Sequence, residues 1–521
     1  MNKITSNWKK TILFLILILF ACAALRFLRI GVGGQPVFTD EAIYIRWAQV
    51  MKAEPTLRFL PLSDGKQPLF MWVLMFLLRP GIDPLLIGRG LSVATGFLSN
   101  LGIFILSFIL FKSKKTALFA SFIYALMPMT NLFDSMALVD SMLSMFGIWI
   151  FIFATLAVRK YRFDFSMLSG FSLGGALLTK SPALFYSLLL PITGIFGFGK
   201  IKSVFNLKKI IKIAALFIPI YLIGYAMYNI LRLGPNFHLI ATRNSDYIFP
   251  LSHILENPAD PFFNHLRDVI NWFWLIGPWS FIFMFLLGTI YGVKNHFKEA
   301  FLLLALSLIP IFTNSMYAKV FTVRYILFSV PFLIIISGLS INMVKKIKLQ
   351  LLLIGLFAVT SLYVDKKLIF NIEASPLPKS ERTGYLENWT AGYGIKETAV
   401  YLINYQKIHP DEKIIVGTEG YFGTLPDGLQ MYLADYPMIT IVGVGIDIVE
   451  LPSELRESRD FGSTTFFVIN SSRLLGKPED LGLELVASYP KPLRTIGTHE
   501  QVRYGLQDTL YFFKVKKASA K

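Results

Sequence analysis

The sequence predicts a polytopic α-helical membrane protein with about eleven transmembrane helices and a C-terminal extracytoplasmic α/β domain. Three observations carry that prediction. Hydrophobic residues make up 54% of the 521 positions and charged residues only 16%, more apolar surface than one water-soluble globule can hide. The apolar residues run in blocks of about twenty, the length that crosses a hydrocarbon core. Lys and Arg gather in short clusters at alternate gaps between those blocks, which is the pattern of cytoplasmic loops.

The net charge of +18 belongs to those clusters. No basic groove interleaved with aromatic residues is present, so no nucleic-acid partner is expected. The lone Cys22 lies inside the first apolar block, which excludes an intramolecular disulfide framework and any cysteine-based metal cage.

The first helix is expected at about 11–25, behind Lys3, Lys9 and Lys10. Leu19-Phe20-Ala21-Cys22 has the outline of a lipoprotein cleavage box, but Phe20 does not suit it, and the segment reads as a retained anchor. Further helices are expected near 85–111, 116–130, 136–157, 166–180, 182–198, 210–232, 271–292, 299–315, 321–341 and 349–364. The clusters that orient them are Lys112, Lys114 and Lys115; Arg159, Lys160 and Arg162; Lys200, Lys202, Lys208 and Lys209; Lys294 and Lys298; and Lys345, Lys346 and Lys348. With these loops and the N-terminus in the cytoplasm, parity places 31–83, the turn at 131–135, the loop 233–270 and everything after 365 outside.

Two domains follow: a transmembrane domain over 1–365, which includes the large external loop 31–83, and a soluble domain over 366–521. In the second, a helix over 393–406 precedes strands at 413–417, 438–443, 464–470 and 509–515. Gly417, Gly420 and Gly423 follow a strand, but their spacing is not that of a dinucleotide loop.

The first external loop carries the chemistry. Phe38-Thr39-Asp40-Glu41-Ala42-Ile43-Tyr44 sets two adjacent carboxylates at the head of an amphipathic stretch, where they can cap a helix or handle a proton. Downstream, Asp64-Gly65-Lys66-Gln67-Pro68-Leu69-Phe70-Met71-Trp72 puts a cation before an apolar, aromatic segment at the membrane surface. Lys66 there can snorkel to water or meet an anion. Asp140, in Leu138-Val139-Asp140-Ser141-Met142, stands at the outer end of a spanning helix. An acid at mid-helix costs on the order of 2.5–3.5 kcal/mol to insert, less near the interface, so intramembrane acids carry function by default. Arg89 and Lys180 are cations at outer helix ends. His253, Glu256, Asp260 and His265 share one external loop with the spacing of a solvated segment, and no metal site is assigned to them.

Together these pieces resemble the GT-C membrane glycosyltransferases, and among them the protein O-mannosyltransferases, the lipid A aminoarabinose transferases and their bacterial relatives. The resemblance rests on 38–44 with its Asp-Glu pair, 65–72 with its Lys-x-Pro-Leu-Phe form, 89–92, 138–142, 177–182 and Arg324-Tyr325 followed by Pro331. It covers about the first 340 residues and leaves the C-terminal domain unmatched.

What the resemblance implies is a GT-C-like fold that transfers a sugar from a polyprenyl-phosphate carrier to a hydroxyl of a lipid, glycan or protein acceptor, outside the cell membrane. It makes Asp40 the general base, with Glu41 and Asp140 as further catalytic carboxylates. It assigns Lys66, Arg324 and Arg243 to the donor phosphate. A divalent metal ion as cofactor stays open, because some relatives hold one with an Asp-x-Asp pair where this loop has Asp40-Glu41. The competing expectation is a transporter or lipid flippase. Such folds show inverted repeats and a mid-membrane charge path, and this sequence shows neither. An envelope scaffold would leave Asp40 and Lys66 unexplained.

Overall fold

The computed structural model describes residues 2–198 and 206–516, with side chains from residue 8 onward. Lys200 and Lys202, two of the orienting cations, lie outside the described residues, as does the side chain of Lys3. The chain forms two compact units, one of Met1–Gly33, Leu57–Trp72 and Arg89–Pro378, the other of Gly34–Thr56, Val73–Gly88 and Lys379–Lys521. The sequence division at 365/366 kept all of 31–83 with the helices. In the structure, parts of that loop belong with the C-terminal residues, because Val37 and Phe38 (β1) pair antiparallel with Gly392 and Ala391 (β2).

The first unit is helical. Among the described residues six helices are long and apolar enough to cross a membrane: Trp8–Val32, Pro84–Phe111, Val139–Lys160, Leu207–Leu233, Phe297–Tyr317 and Ile347–Phe370. A seventh span arises if Phe262–Leu275 and Trp279–Asn295, bent by 108°, count as one. The windows expected at 116–130, 166–180, 182–198 and 321–341 hold shorter or broken helices. Proline interrupts two of them: Lys114–Leu126 stops before Pro128, and the α-helix Ala183–Leu189 gives way to 3₁₀ turns at Pro191.

The basic loops meet at one end of this unit. Arg159 binds Glu299 at 3.0 Å and the Ile109 carbonyl at 2.5 Å. The rings of Phe111 and His296 touch, and Lys115 reaches Gln350. Lys114 lies 3.9 Å above the ring of Trp8, which brings the first helix to the same end. Arg159 sits in the last turn of Val139–Lys160 and Asp140 in its first, so about 28 Å of helix separate them. Near Asp140's end the polar core is dense: fully buried Arg26 donates from Nε (3.0 Å) and a terminal nitrogen (2.7 Å) to Asp134, which also accepts from the Tyr124 hydroxyl at 2.8 Å.

The second unit is built on a five-stranded sheet of order β4-β3-β5-β7-β6. Its strands are β3 (Ile414–Thr418), β4 (Ile439–Gly443), β5 (Thr464–Asn470), β6 (Leu483–Pro490) and β7 (Thr509–Val515). The first three are parallel, β6 and β7 antiparallel. β3 is buried at every position, as a central strand covered on both faces must be. β6 was missed in the sequence because its partly exposed edge carries Glu484 and Ser488 and ends at Pro490.

A buried charge pair locks the carboxyl end of this sheet. Lys491 donates to the Asn388 carbonyl (2.9 Å), Asn470 (2.6 Å) and Asp508 (3.1 Å). Burial pulls the ammonium below its usual pKa against the attraction of Asp508. Burial works against the Asp508 carboxylate too, yet Lys491 and the Ser471 hydroxyl hold it below the usual range. Lys491→Met leaves the buried Asp508 carboxylate with the more distant Arg494, at 3.6 Å, as its charge partner and should cost about 3 kcal/mol. The expected readout is early loss of hydrogen-exchange protection in β5 and β7 of the full-length protein. Protection equal to the parent's would show that the pair does not hold the sheet.

Candidate active site

Asp40 and Glu41 form the first turn of the helix Thr39–Ala53, in the second unit. The turn is held by chain far away in sequence: the Thr39 N–H donates to the Thr390 carbonyl at 3.1 Å, and the hydroxyls of Thr39 and Thr424 touch. The two carboxylates differ. Glu41 is fully buried, and its carboxylate accepts from the Phe38 N–H at 3.0 Å, which satisfies a helix-start donor. Asp40 is half-buried on the same turn. Glu41 therefore caps the helix, while Asp40 is the carboxylate with access to water.

The first unit brings together most of the other candidates. Asp140, 2% exposed, accepts from Lys180 Nζ at 2.6 Å and from Arg324 Nε at 3.1 Å. Lys180 ends the helix Phe163–Thr179 in extended backbone, and its Nζ lies 5.5 Å from the ring centre of Tyr325. The Asp140 carboxylate is thus bridged by two cations. Its physical effect is to orient the ammonium and the guanidinium.

A second carboxylate does the same for the loop cations. Asp64 stands 3.2 Å from Lys66 and 3.3 Å from Arg243, and Arg243 also binds Asp246 at 2.8 Å. Gly65 has a left-handed backbone (φ +65°), and a Cβ there would strike Arg243 at 2.6 Å, so glycine is what lets the two segments close up. Gln67 ties this loop to the other cluster, donating to the Ser181 hydroxyl, next to Lys180, at 2.7 Å. Lys66 and Arg243 thus share Asp64, Arg324 shares Asp140 with Lys180, and one side-chain hydrogen bond links the two groups.

Sequence reasoning weighed Lys180 only as a cation at a helix end and gave no role to Asp64, Gln67 or Ser181. Lys180 and Ser181 stand in the matched segment 177–182 and Gln67 in 65–72, which was the available signal. Arg89 is buried. Among the described residues no three His, Cys, Asp or Glu side chains stand close enough to share a metal ion. His265 binds the Ser315 carbonyl at 3.2 Å, apart from His253, which contacts the Asp260 carbonyl. The second unit also holds a cavity of about 860 Å³ along the later turns of Thr39–Ala53, lined by Arg46, Gln49, Lys52, Asp83 and Lys396.

No protein-family model matches the chain, and no curated protein sequence does. Solved structures do. ArnT from Cupriavidus metallidurans bound to undecaprenyl phosphate is similar over 97% of this chain and 98% of its own, with a TM-score of 0.58 at 14% identity. Its apo state gives 0.56 at 13% over the same shares. The oligosaccharyltransferase of Archaeoglobus fulgidus in complex with Zn and sulfate gives 0.50 at 11%, over 88% of this chain and 68% of that one. At such identities the likeness is one of fold, and that fold is the GT-C fold of the membrane glycosyltransferases to which these solved structures belong.

Proposed function

We propose that the protein moves a sugar from a polyprenyl-phosphate carrier to a hydroxyl of a lipid, glycan or protein acceptor on the extracytoplasmic side of the membrane. The observation that carries this reading is the pair of linked cation clusters around Asp140 and Asp64, Asp140 lying at the helix end opposite the basic loops. Positive charge gathered at that end runs against the general bias of membrane loops, and a lipid-borne phosphate is the ligand that would repay it. A fold shared with an enzyme solved with undecaprenyl phosphate supports the same donor class. Outside the cytoplasm there is no nucleotide-sugar pool, so the donor has to arrive in the bilayer.

In the reaction the acceptor oxygen attacks the anomeric carbon and Asp40 takes its proton. The bond from that carbon to the phosphate oxygen breaks, its electron pair leaves with the carrier, and a phosphodiester becomes a monoester with added negative charge. Lys66, Arg324 and Arg243 offset that charge. Asp140 aims Arg324 and Lys180, and Glu41 keeps the first turn in shape.

Asp40→Asn preserves size and should leave insertion intact while lowering transfer by about 10²–10⁴. Purified variants incubated with a panel of polyprenyl-phosphate sugars, scored by release of polyprenyl phosphate at matched protein levels, test this. Near-native transfer by the variant would sink the assignment. Arg324→Lys removes the planar fork, and the donor KM should rise about ten- to hundredfold. An unchanged KM would leave Arg324 as no more than a partner of Asp140. Topology is testable in intact cells: in a Cys22→Ser background, a cysteine replacing exposed Phe461 should react with an impermeant thiol reagent, and one replacing exposed Lys345 should not. The reverse pattern would turn the protein over and remove its site from the outer face.

A further inference from the structure

The chain between β6 and β7, residues 491–508, inverts the ordinary character of a surface loop. Loops usually turn polar side chains to water. Here the polar groups are spent inward. Arg494, 4% exposed, donates to the Tyr504 and Gly505 carbonyls at 3.0 and 3.1 Å, and its backbone N–H to the Leu506 carbonyl at 2.8 Å, which ties the two limbs of the loop together. Gln507 donates to the Lys491 carbonyl at 2.6 Å. Thr495 donates from its backbone and its hydroxyl to fully buried Glu387, at 3.0 and 2.8 Å. What the loop leaves to the outside is aliphatic: Leu493, Ile496, Val502 and Leu506 are 63%, 83%, 77% and 62% exposed. Large apolar side chains gathered in one rigid loop mark an interaction surface.

Two observations indicate what covers it. The tip of the loop is fastened to chain that has just left a spanning helix: Lys379 donates to the Gly497 carbonyl at 3.4 Å, and Arg382 binds, at 2.7 Å, the same Glu387 that holds Thr495. Lys379 follows Phe370, the end of the apolar helix Ile347–Phe370, by nine residues. A chain of that length reaches at most about 32 Å, and the 3₁₀ turn Ile372–Ala374 shortens it. The second observation is the border of the aliphatic patch. Tyr504 is 40% exposed, the Arg503 guanidinium lies 5.1 Å from its ring centre, and Arg503 and Lys379 are both exposed. Aliphatic residues edged by a tyrosine and by long cations have the composition of a membrane interface, where rings and cationic heads sit at headgroup level.

We propose that the loop 491–508 is a membrane-docking element, seating Leu493, Ile496, Val502 and Leu506 among the lipids of the leaflet it faces, with Arg503 and Lys379 against lipid phosphates. The sheet-bearing unit is then held to the bilayer at a place of its own, besides its chain connections to the spans. A saccharide is a poor occupant, because these four side chains offer it no donor or acceptor. A polypeptide would have to be brought there, whereas the bilayer is already within reach of the chain. The inference stands apart from the glycosyl-transfer reading.

The test uses the full-length protein in phosphatidylcholine nanodiscs, with a spin label on one introduced cysteine in the Cys22→Ser background. Labels on Ile496→Cys and Val502→Cys should collide severalfold more with dissolved oxygen, which concentrates in lipid, than with a water-soluble nickel chelate. A label on Phe461→Cys, 87% exposed in the same unit, should show the reverse. Adding Ile496→Asp to the Val502→Cys protein should return that label to water, and both substitutions sit on exposed positions where folding is not at stake. Mixing phosphatidylglycerol into the nanodiscs should move the two loop labels further toward oxygen, and Arg503→Gln should reduce that movement. Loop labels open to the nickel chelate like the Phe461→Cys label would overturn the proposal. Shielding from both reagents would do so as well, since it places the loop against protein, either this chain or a second copy. Equal depth with and without phosphatidylglycerol would overturn the assignment of Arg503 and Lys379 to lipid phosphates.

Discussion

A carboxylate taken almost wholly out of water has to be paired, and Asp140 meets that demand with two cations from remote stretches of chain. Lys180 comes from the end of one helix and Arg324 from a short turn before another, so the pairing draws three segments of the helical unit to one point. Removing the acid would leave two cations at the edge of a low-dielectric slab with one fewer counter-charge. Removing either cation would weaken the argument for keeping an acid there at all. The geometry of the cation field follows from this one constraint.

Asp64 repeats the device closer to water. Its partners are more exposed, with Lys66 at 25% and Arg243 at 45%, so each contact is weaker and more open to exchange. In the proposed reaction that gradient has a use. The buried pairs hold their cations in place, whereas the exposed ones can trade a carboxylate for a phosphate at little cost. A phosphate entering from the bilayer side would meet the exposed cations of the loop and the buried ones of the helix ends together.

The parts legible in the sequence were those where charge breaks an apolar pattern. Asp140 and Lys66 stood out because each interrupts or borders an apolar block, and Asp40-Glu41 because two acids head an amphipathic stretch. Their connections were not legible: Asp140 meets residues 40 and 184 positions away, and nothing local encodes that. Buried Arg26 and Asp134 passed unnoticed for the same reason, although an Arg inside the first apolar block was in view. Hydropathy located membrane-depth segments but not the helix breaks at Pro128 and Pro191, since proline is apolar while it removes a backbone donor. In the C-terminal unit the buried strands read clearly, and the two-residue pairing of β1 with β2 was too short to leave any periodic trace.

That short pairing changes what the C-terminal residues mean. The turn bearing Asp40 is anchored by the Thr390 carbonyl, by Thr424 and by Ala391 and Gly392, all more than 350 positions further along the chain. Thr39–Ala53 also packs on Asp427–Leu433, with Gln49 donating to the Met431 carbonyl at 2.8 Å and Arg46 to Gln430 at 3.2 Å. A helix of this length, about four turns, has little stability alone in water. Its first turn, and so the aim of the Asp40 carboxylate, exists because the sheet-bearing unit folds around it. The C-terminal unit is therefore part of the structure that positions the Asp40 carboxylate, and a chain cut after Pro378 would keep the cation clusters while losing the scaffold of the carboxylate proposed as the base.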